Sequence, residues 1–158
     1  MTNEAFLDVD GTERYQYVKD ILNNVFNKRK EDGEEYEGAQ KSVWDIAPGK
    51  KVWFPYLAVI DPANGGWKTP KKVGWINIPS PDARTISQIP LVNCKYFDPN
   101  QEVLEDIEYA VFVTDTTDPT DKYRFYGIFT KRKLDKDGIS VWSRISATLL
   151  FDEWKTQG

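Results

Sequence analysis

Two aspartates separated by one residue, Asp8 and Asp10, follow the apolar pair Phe6-Leu7 and precede Gly11-Thr12. Paired carboxylates with magnesium can transfer a phosphoryl group without histidine. Histidine is missing from the chain, and cysteine occurs once, at Cys94. Those facts remove Ser-His-Asp and Cys-His mechanisms, a cysteine-rich zinc site and an internal disulfide. The aspartates also have a structural reading, with Asp10 capping a following helix and Gly11 easing the backbone into it.

The other chemistry-bearing residues are aromatic. Six Trp, eight Tyr and eight Phe make up 14% of the chain, more than a minimal helical bundle needs and typical of pleated, half-buried surfaces. Four strings set aromatics beside polar side chains: Lys51-Val52-Trp53-Phe54-Pro55, Gly74-Trp75-Ile76-Asn77-Ile78-Pro79-Ser80-Pro81-Asp82, Tyr123-Arg124-Phe125-Tyr126-Gly127-Ile128-Phe129 and Val141-Trp142-Ser143-Arg144-Ile145. The net charge of −4 is mild, so only local patches speak to nucleic acid. Basic residues gather at Lys50, Lys51, Lys68, Lys71, Lys72 and Arg84, and again at Lys131 to Lys133; the plain reading of such clusters is solvated turns.

The elements that must position these residues follow from periodicity. Tyr15, Val18, Ile21, Leu22, Val25 and Phe26 recur at helical spacing, which predicts an amphipathic helix over 12–30, opened by an Asp10/Glu13 capping box. Polar residues 31–41 read as a loop. A strand is expected over Val52 to Ile60, disturbed at Pro55, and a second over Val73 to Ile78. Further strands are expected at Thr85 to Ile89, Leu91 to Phe97, Tyr109 to Thr114, Tyr123 to Lys133 and Ile139 to Ile145, with a hairpin turn at Asp135-Lys136-Asp137-Gly138. Ala147 to Trp154 closes as a short helix or an extended tail. One helix followed by a run of strands is an α+β pattern. The expected architecture is an N-terminal amphipathic helix packed on a mostly antiparallel, partly closed, barrel-like sheet, with residues 1–158 as one domain and 50–146 as its β-rich core. No leader or membrane-spanning stretch is apparent, which points to a cytoplasmic protein.

The string from Phe6 to Thr12 is similar to the first motif of the haloacid dehalogenase-like phosphatases. That resemblance would make Asp8 a nucleophile, Asp10 an acid/base and magnesium ligand, and Thr114 a phosphate-binding hydroxyl. It spans seven residues, and that family needs a doubly wound parallel sheet, which the order of elements here does not supply. Over roughly residues 45 to 150, the four aromatic strings resemble a PUA-like β-barrel domain of the kind found in bacterial and phage defence systems. That resemblance implies recognition of nucleic acid through an extruded or modified base held by aromatic rings. Trp53, Trp75 and Tyr126 would stack, Asn77, Ser80 and Asp82 would form a polar rim, and Arg144, counted among the ligand-binding residues, would with Lys71, Lys72 and Arg84 meet phosphate. Each has a plainer reading. Trp53 and Trp142 could pack inward, the Asn77 to Asp82 segment could bond its own backbone, and Arg144 could pair with a carboxylate.

The expected function is therefore a non-catalytic nucleic-acid-binding module with no catalytic residue, cofactor or metal. Two alternatives stay open. One is a small protein-interaction protein, such as a phage-encoded inhibitor of a host defence enzyme or an immunity protein, since aromatics with a charged rim suit a protein partner. The other is the magnesium-dependent phosphatase using Asp8 and Asp10.

Overall fold

A computed structural model of the chain describes residues 6–39, 41–61, 66–68, 75–90, 106–114, 122–131 and 139–155. In chain order the elements are β1 (Phe6–Asp8), α1 (Val18–Asp20) continued by a π-helical turn (Ile21–Val25), β2 (Val43–Ala47), β3 (Lys50–Trp53), β4 (Val59–Asp61), β5 (Gly66–Lys68), β6 (Trp75–Pro79), β7 (Thr85–Pro90), β8 (Glu108–Thr114), β9 (Tyr123–Lys131), β10 (Ser140–Ser146), β11 (Thr148–Leu150) and α2 (Phe151–Trp154). Among the described residues, β2-β3-β8-β9-β10-β7-β6 form one seven-stranded sheet, while β1 pairs with β11 and β4 with β5. Every pairing is antiparallel except β3 with β8, which is parallel.

Strand alternation divides the sheet into two apolar faces. On β8, Ala110 and Phe112 join one buried cluster while Val111 and Val113 join the other, as a period of two requires. The outer cluster receives the helix through Val18, Ile21, Leu22, Val25 and Phe26, together with Leu7, Leu149 and Trp154. Phe26 meets both Phe112 and Trp154 at 6.0 Å between ring centroids, an ordinary aromatic packing distance.

The sheet is curled but not fully closed. Flat, β3 and β6 would lie about 24 Å apart, since five strand spacings separate them. Yet Leu57, four residues beyond Trp53, forms a parallel bridge with Asn77 of β6, and four residues reach no more than about 14 Å. The sheet must bend to bring them together. Ala58 N–H donates to the Asn77 carbonyl at 2.7 Å and Asn77 Nδ2 donates to the Tyr56 carbonyl at 3.2 Å, which ties the bend. Inside the curl lies the second cluster: Trp53, Ile86, Val111, Val113, Tyr126, Phe129 and Trp142.

Several elements differ from the sequence expectation. The helix is shorter, because Tyr15 pairs with Tyr123 as a bridge instead of entering a helical turn. Asp10 caps nothing: the residue before α1 is Tyr17, in extended conformation and without a side-chain cap bond. The run from Val52 to Ile60 divides into the end of β3, a non-strand crossing that includes Pro55, and β4. Strand β2 was not expected; its Ile46 is buried while Asp45 and Ala47 are exposed. The chain's last described stretch is both β11 and α2. Lys71, Lys72, Cys94, the Leu91 to Phe97 strand and the Asp135 to Gly138 turn lie outside the described residues.

Candidate functional site

The inner face is unusual in what it buries. Directly opposed residues of an antiparallel pair share a face, and Asn77 opposes Gln88, which opposes Ser140. This sets a row of three polar side chains across β6, β7 and β10, all buried: Asn77 is 4% exposed, Gln88 8% and Ser140 0%. Two atoms of the row, Asn77 Oδ1 and Ser140 Oγ, have no hydrogen-bond partner among the described residues. Leaving a buried polar atom unpaired costs about 1–3 kcal/mol, so the row is maintained against a folding penalty.

Aromatics wall the row on the same face. Trp142, two residues beyond Ser140, donates from Nε1 to Gln88 Oε1 at 3.2 Å. It stacks on Trp53 at 4.1 Å with an interplanar angle of 21°, and Tyr109 meets its edge at 4.5 Å. The Lys131 ammonium lies 5.5 Å from the Trp142 ring, and burial lowers its pKa. A third ring between Trp53 and Trp142 would need about twice their spacing. Trp53 is therefore part of the packed inner wall, one of its ring faces already covered by Trp142.

Four residues down β10 the chemistry changes to guanidinium and phenol. Tyr126 is the extra residue where the β8 pairing shifts from Val111–Gly127 to Phe112–Phe125, a bulge that turns its ring to the inner face. Tyr126 lies parallel to Phe129 at 5.8 Å. The Arg124 and Arg144 guanidinium carbons each sit 5.3 Å from the Tyr126 ring centre, within the range of a cation–π contact. Arg144 donates from Nη2 to the Tyr126 carbonyl, while its buried Nε has no partner among the described residues. Burial, followed by the neighbouring Arg124 and Arg84 charges, lowers the Arg144 pKa, with Tyr126 and Asp10 opposing. Burial raises the Tyr126 phenol, against the pull of Arg144 and Arg124.

The Ser80 to Asp82 turn joins β6 to β7 at this end of the sheet. Ser80 Oγ donates to Asp82 Oδ1 at 2.7 Å and accepts the Arg84 and Thr85 N–H groups. That bond, with the Arg84 N–H, holds the Asp82 carboxyl below its usual pKa. The local backbone role anticipated for this turn is present, and Arg84 extends from it into solvent, 79% exposed, with Asp82 at 3.9 Å. Trp75 occupies β6 opposite Pro90; its side chain is outside the described set.

The structure thus brings Asn77 together with Trp53, and Ser80, Asp82, Arg84, Tyr126 and Arg144 together at the neighbouring end. Gln88, Ser140 and Tyr109 join them without having been singled out, as do Lys131, noted only as part of a basic run, and Arg124, noted only within an aromatic string. Asp8 and Asp10 lie on and after the separate β1 strand, with Asp10 near enough to Arg144 to act on its charge. Asp8 Oδ1 accepts the Asp10 N–H at 2.9 Å and Oδ2 accepts the Thr148 hydroxyl at 3.1 Å, which ties β1 to β11. Thr114 ends β8 in the other sheet, and no cluster of three or more metal-ligating side chains occurs among the described residues. The sheet, antiparallel but for one pairing, is not the doubly wound parallel sheet that the phosphatase reading needs.

No curated protein matches the chain. Among solved structures, the 5-hydroxymethylcytosine-specific restriction enzyme AbaSI is similar, with a TM-score of 0.63 and 23% identity, over 92% of this chain. The chain spans 42% of that enzyme's length, and at this identity the likeness is one of fold. Residues 3–151 match the SET and RING associated domain, a family structurally related to the PUA superfamily. The chain belongs to the SRA family.

Proposed function

We propose that this chain is a non-catalytic nucleic-acid-binding module that reads a modified cytosine turned out of its strand. The observation that carries the reading is the buried row Asn77, Gln88 and Ser140, with two unpartnered oxygens, set against an aromatic wall on the inside of the curled sheet. A nucleobase offers what that row lacks: polar edge groups on a flat apolar body. Membership of the SRA family and the fold shared with a 5-hydroxymethylcytosine-specific enzyme support cytosine modified at its 5-position as the base. A hydroxyl on that substituent would suit a face carrying orphaned amide and hydroxyl oxygens better than a bare methyl. The likeness to a restriction enzyme also supports a role in defence against modified foreign DNA, with cleavage left to other polypeptide.

The test is an equilibrium titration with duplexes carrying cytosine, 5-methylcytosine or 5-hydroxymethylcytosine at one position. The expected result is tighter binding to a modified duplex, with the preference reduced at least tenfold by Asn77→Leu, which keeps the volume and removes the amide. Equal affinity for all three duplexes would remove the reading.

A further inference from the structure

A lysine stands beside the polar row of the inner face. Lys131 ends β9 directly opposite Trp142, and Ser140 lies two residues before Trp142 on the same face of β10. Lys131 is therefore the diagonal neighbour of Ser140, a separation of about 7–8 Å that a long side chain can span. Trp142 joins the two: its Nε1 donates to Gln88 of the row at 3.2 Å, and the Lys131 ammonium lies 5.5 Å from its ring centre. Burial lowers the Lys131 pKa, and no neighbouring carboxylate raises it back. Among the described residues no acidic side chain comes within ion-pair distance of it. A half-buried ammonium without a counter-charge is unfavourable in the free protein. A ligand that brings it an oxygen or a negative charge removes that penalty.

The row and the ammonium want different parts of a base. Asn77 Oδ1 and Ser140 Oγ, unpartnered among the described residues, suit the hydrogens of the amine at C4 of cytosine. On the cytosine ring the C5 substituent is the immediate neighbour of that amine. An amine seated on Ser140 can set the substituent over the diagonal position, which Lys131 occupies. The ammonium carries three donors and accepts nothing. A methyl group gives it nothing to bind, a hydroxymethyl group gives one oxygen, and a carboxylate gives oxygens and a charge. We propose that Lys131 is a specificity-determining residue of the inner face, selecting a cytosine whose C5 substituent bears an acceptor oxygen, and 5-carboxylcytosine above all. This rests on the base reading proposed above and adds to it the order of preference: carboxyl, then hydroxymethyl, then methyl.

The experiment compares the intact chain with Lys131→Met and Lys131→Arg on duplexes that carry cytosine, 5-methylcytosine, 5-hydroxymethylcytosine or 5-carboxylcytosine at one position. The quantity read is the ratio of carboxyl to methyl affinity, from which a general loss of stability or of backbone contact cancels. The wild type should hold the carboxyl duplex about tenfold or more tighter than the methyl duplex, the range of a hydrogen bond to a charged group. Lys131→Met keeps an apolar stem for the Trp142 ring and removes the charge, so the ratio should fall close to one. Lys131→Arg keeps the charge and should keep the order. A ratio unchanged by Lys131→Met overturns the proposal, as does equal weakening of every duplex, which would make Lys131 a contact to the strand. If Lys131→Met does not fold, Lys131→Gln is read in its place. The wild type alone also decides: a preference for the methyl over the carboxyl duplex removes Lys131 from selection while modified-base reading stands. Equal affinity for all four duplexes removes both.

Discussion

Gly127 has a φ of 130°, and a Cβ built on it would come 2.6 Å from Arg144 Nε. Both facts have one cause: the bulge that brings Tyr126 to the inner face leaves the next residue in a backbone region that side chains disfavour, and Arg144 fills the space beside it. Gly127→Ala should therefore cost about 2 kcal/mol or more in urea denaturation, from backbone strain and from displacement of the guanidinium. The same substitution should weaken nucleic-acid binding more than a remote change of equal stability cost, because it moves the Arg144 charge. Asn77 illustrates the opposite economy. Its amide spends one bond on the Tyr56 carbonyl, holding the curl of the sheet, and leaves the oxygen unpaired on the face where a ligand would pair it.

At the scale of elements, the segment between β1 and α1 is attached to the sheet by Tyr15, which exchanges backbone bonds with Tyr123 at 2.9 and 2.7 Å and meets the edge of Phe112 at 6.1 Å. Burial, with Glu13 adding, pushes the Tyr15 phenol up to about 12. An unfolded tyrosine ionises near pH 10, so the folded chain holds the proton that the unfolded chain releases. The resulting stabilisation is complete below pH 10 and is lost as the pH rises from there to about 12. Denaturation midpoints of the wild type should fall across that window, and those of Tyr15→Phe should fall less. The sequence showed these elements unevenly. The helical spacing of Ile21, Leu22, Val25 and Phe26 located the outer core correctly, but Tyr15 lies on the same periodic pattern and is held by a strand that no local rule reveals. The aromatic strings located the inner wall and Tyr126. The buried row stayed hidden because Ile86 and Gln88 on one face alternate with Ser87 and Ile89 on the other, one apolar and one polar residue each way, so the period could not say which face is inside. Only the register with Asn77 and Ser140 decides it.

Across the whole molecule, the outer core is built from both extremes of the described chain. Leu7 is 2% exposed, Leu149 0% and Trp154 2%, all in the cluster that receives the helix. A chain ending after Ala147 loses two of these and the partner strand of β1, and circular dichroism should show it without the cooperative thermal transition of the full chain. The pairing of Phe6 with Leu150 has a consequence for the order of events during synthesis. Contacts between residues so far apart in sequence form late and make folding slow. While the ribosome still holds the final strand, the helix and β1 lack their cover, and the chain carries an open apolar surface. Once β11 arrives, the two extremes of the fold lie side by side, so a short peptide could join them and new ends could be cut in an exposed loop. The same adjacency would let the fold sit inside another polypeptide as an insertion, entering and leaving at nearly one point.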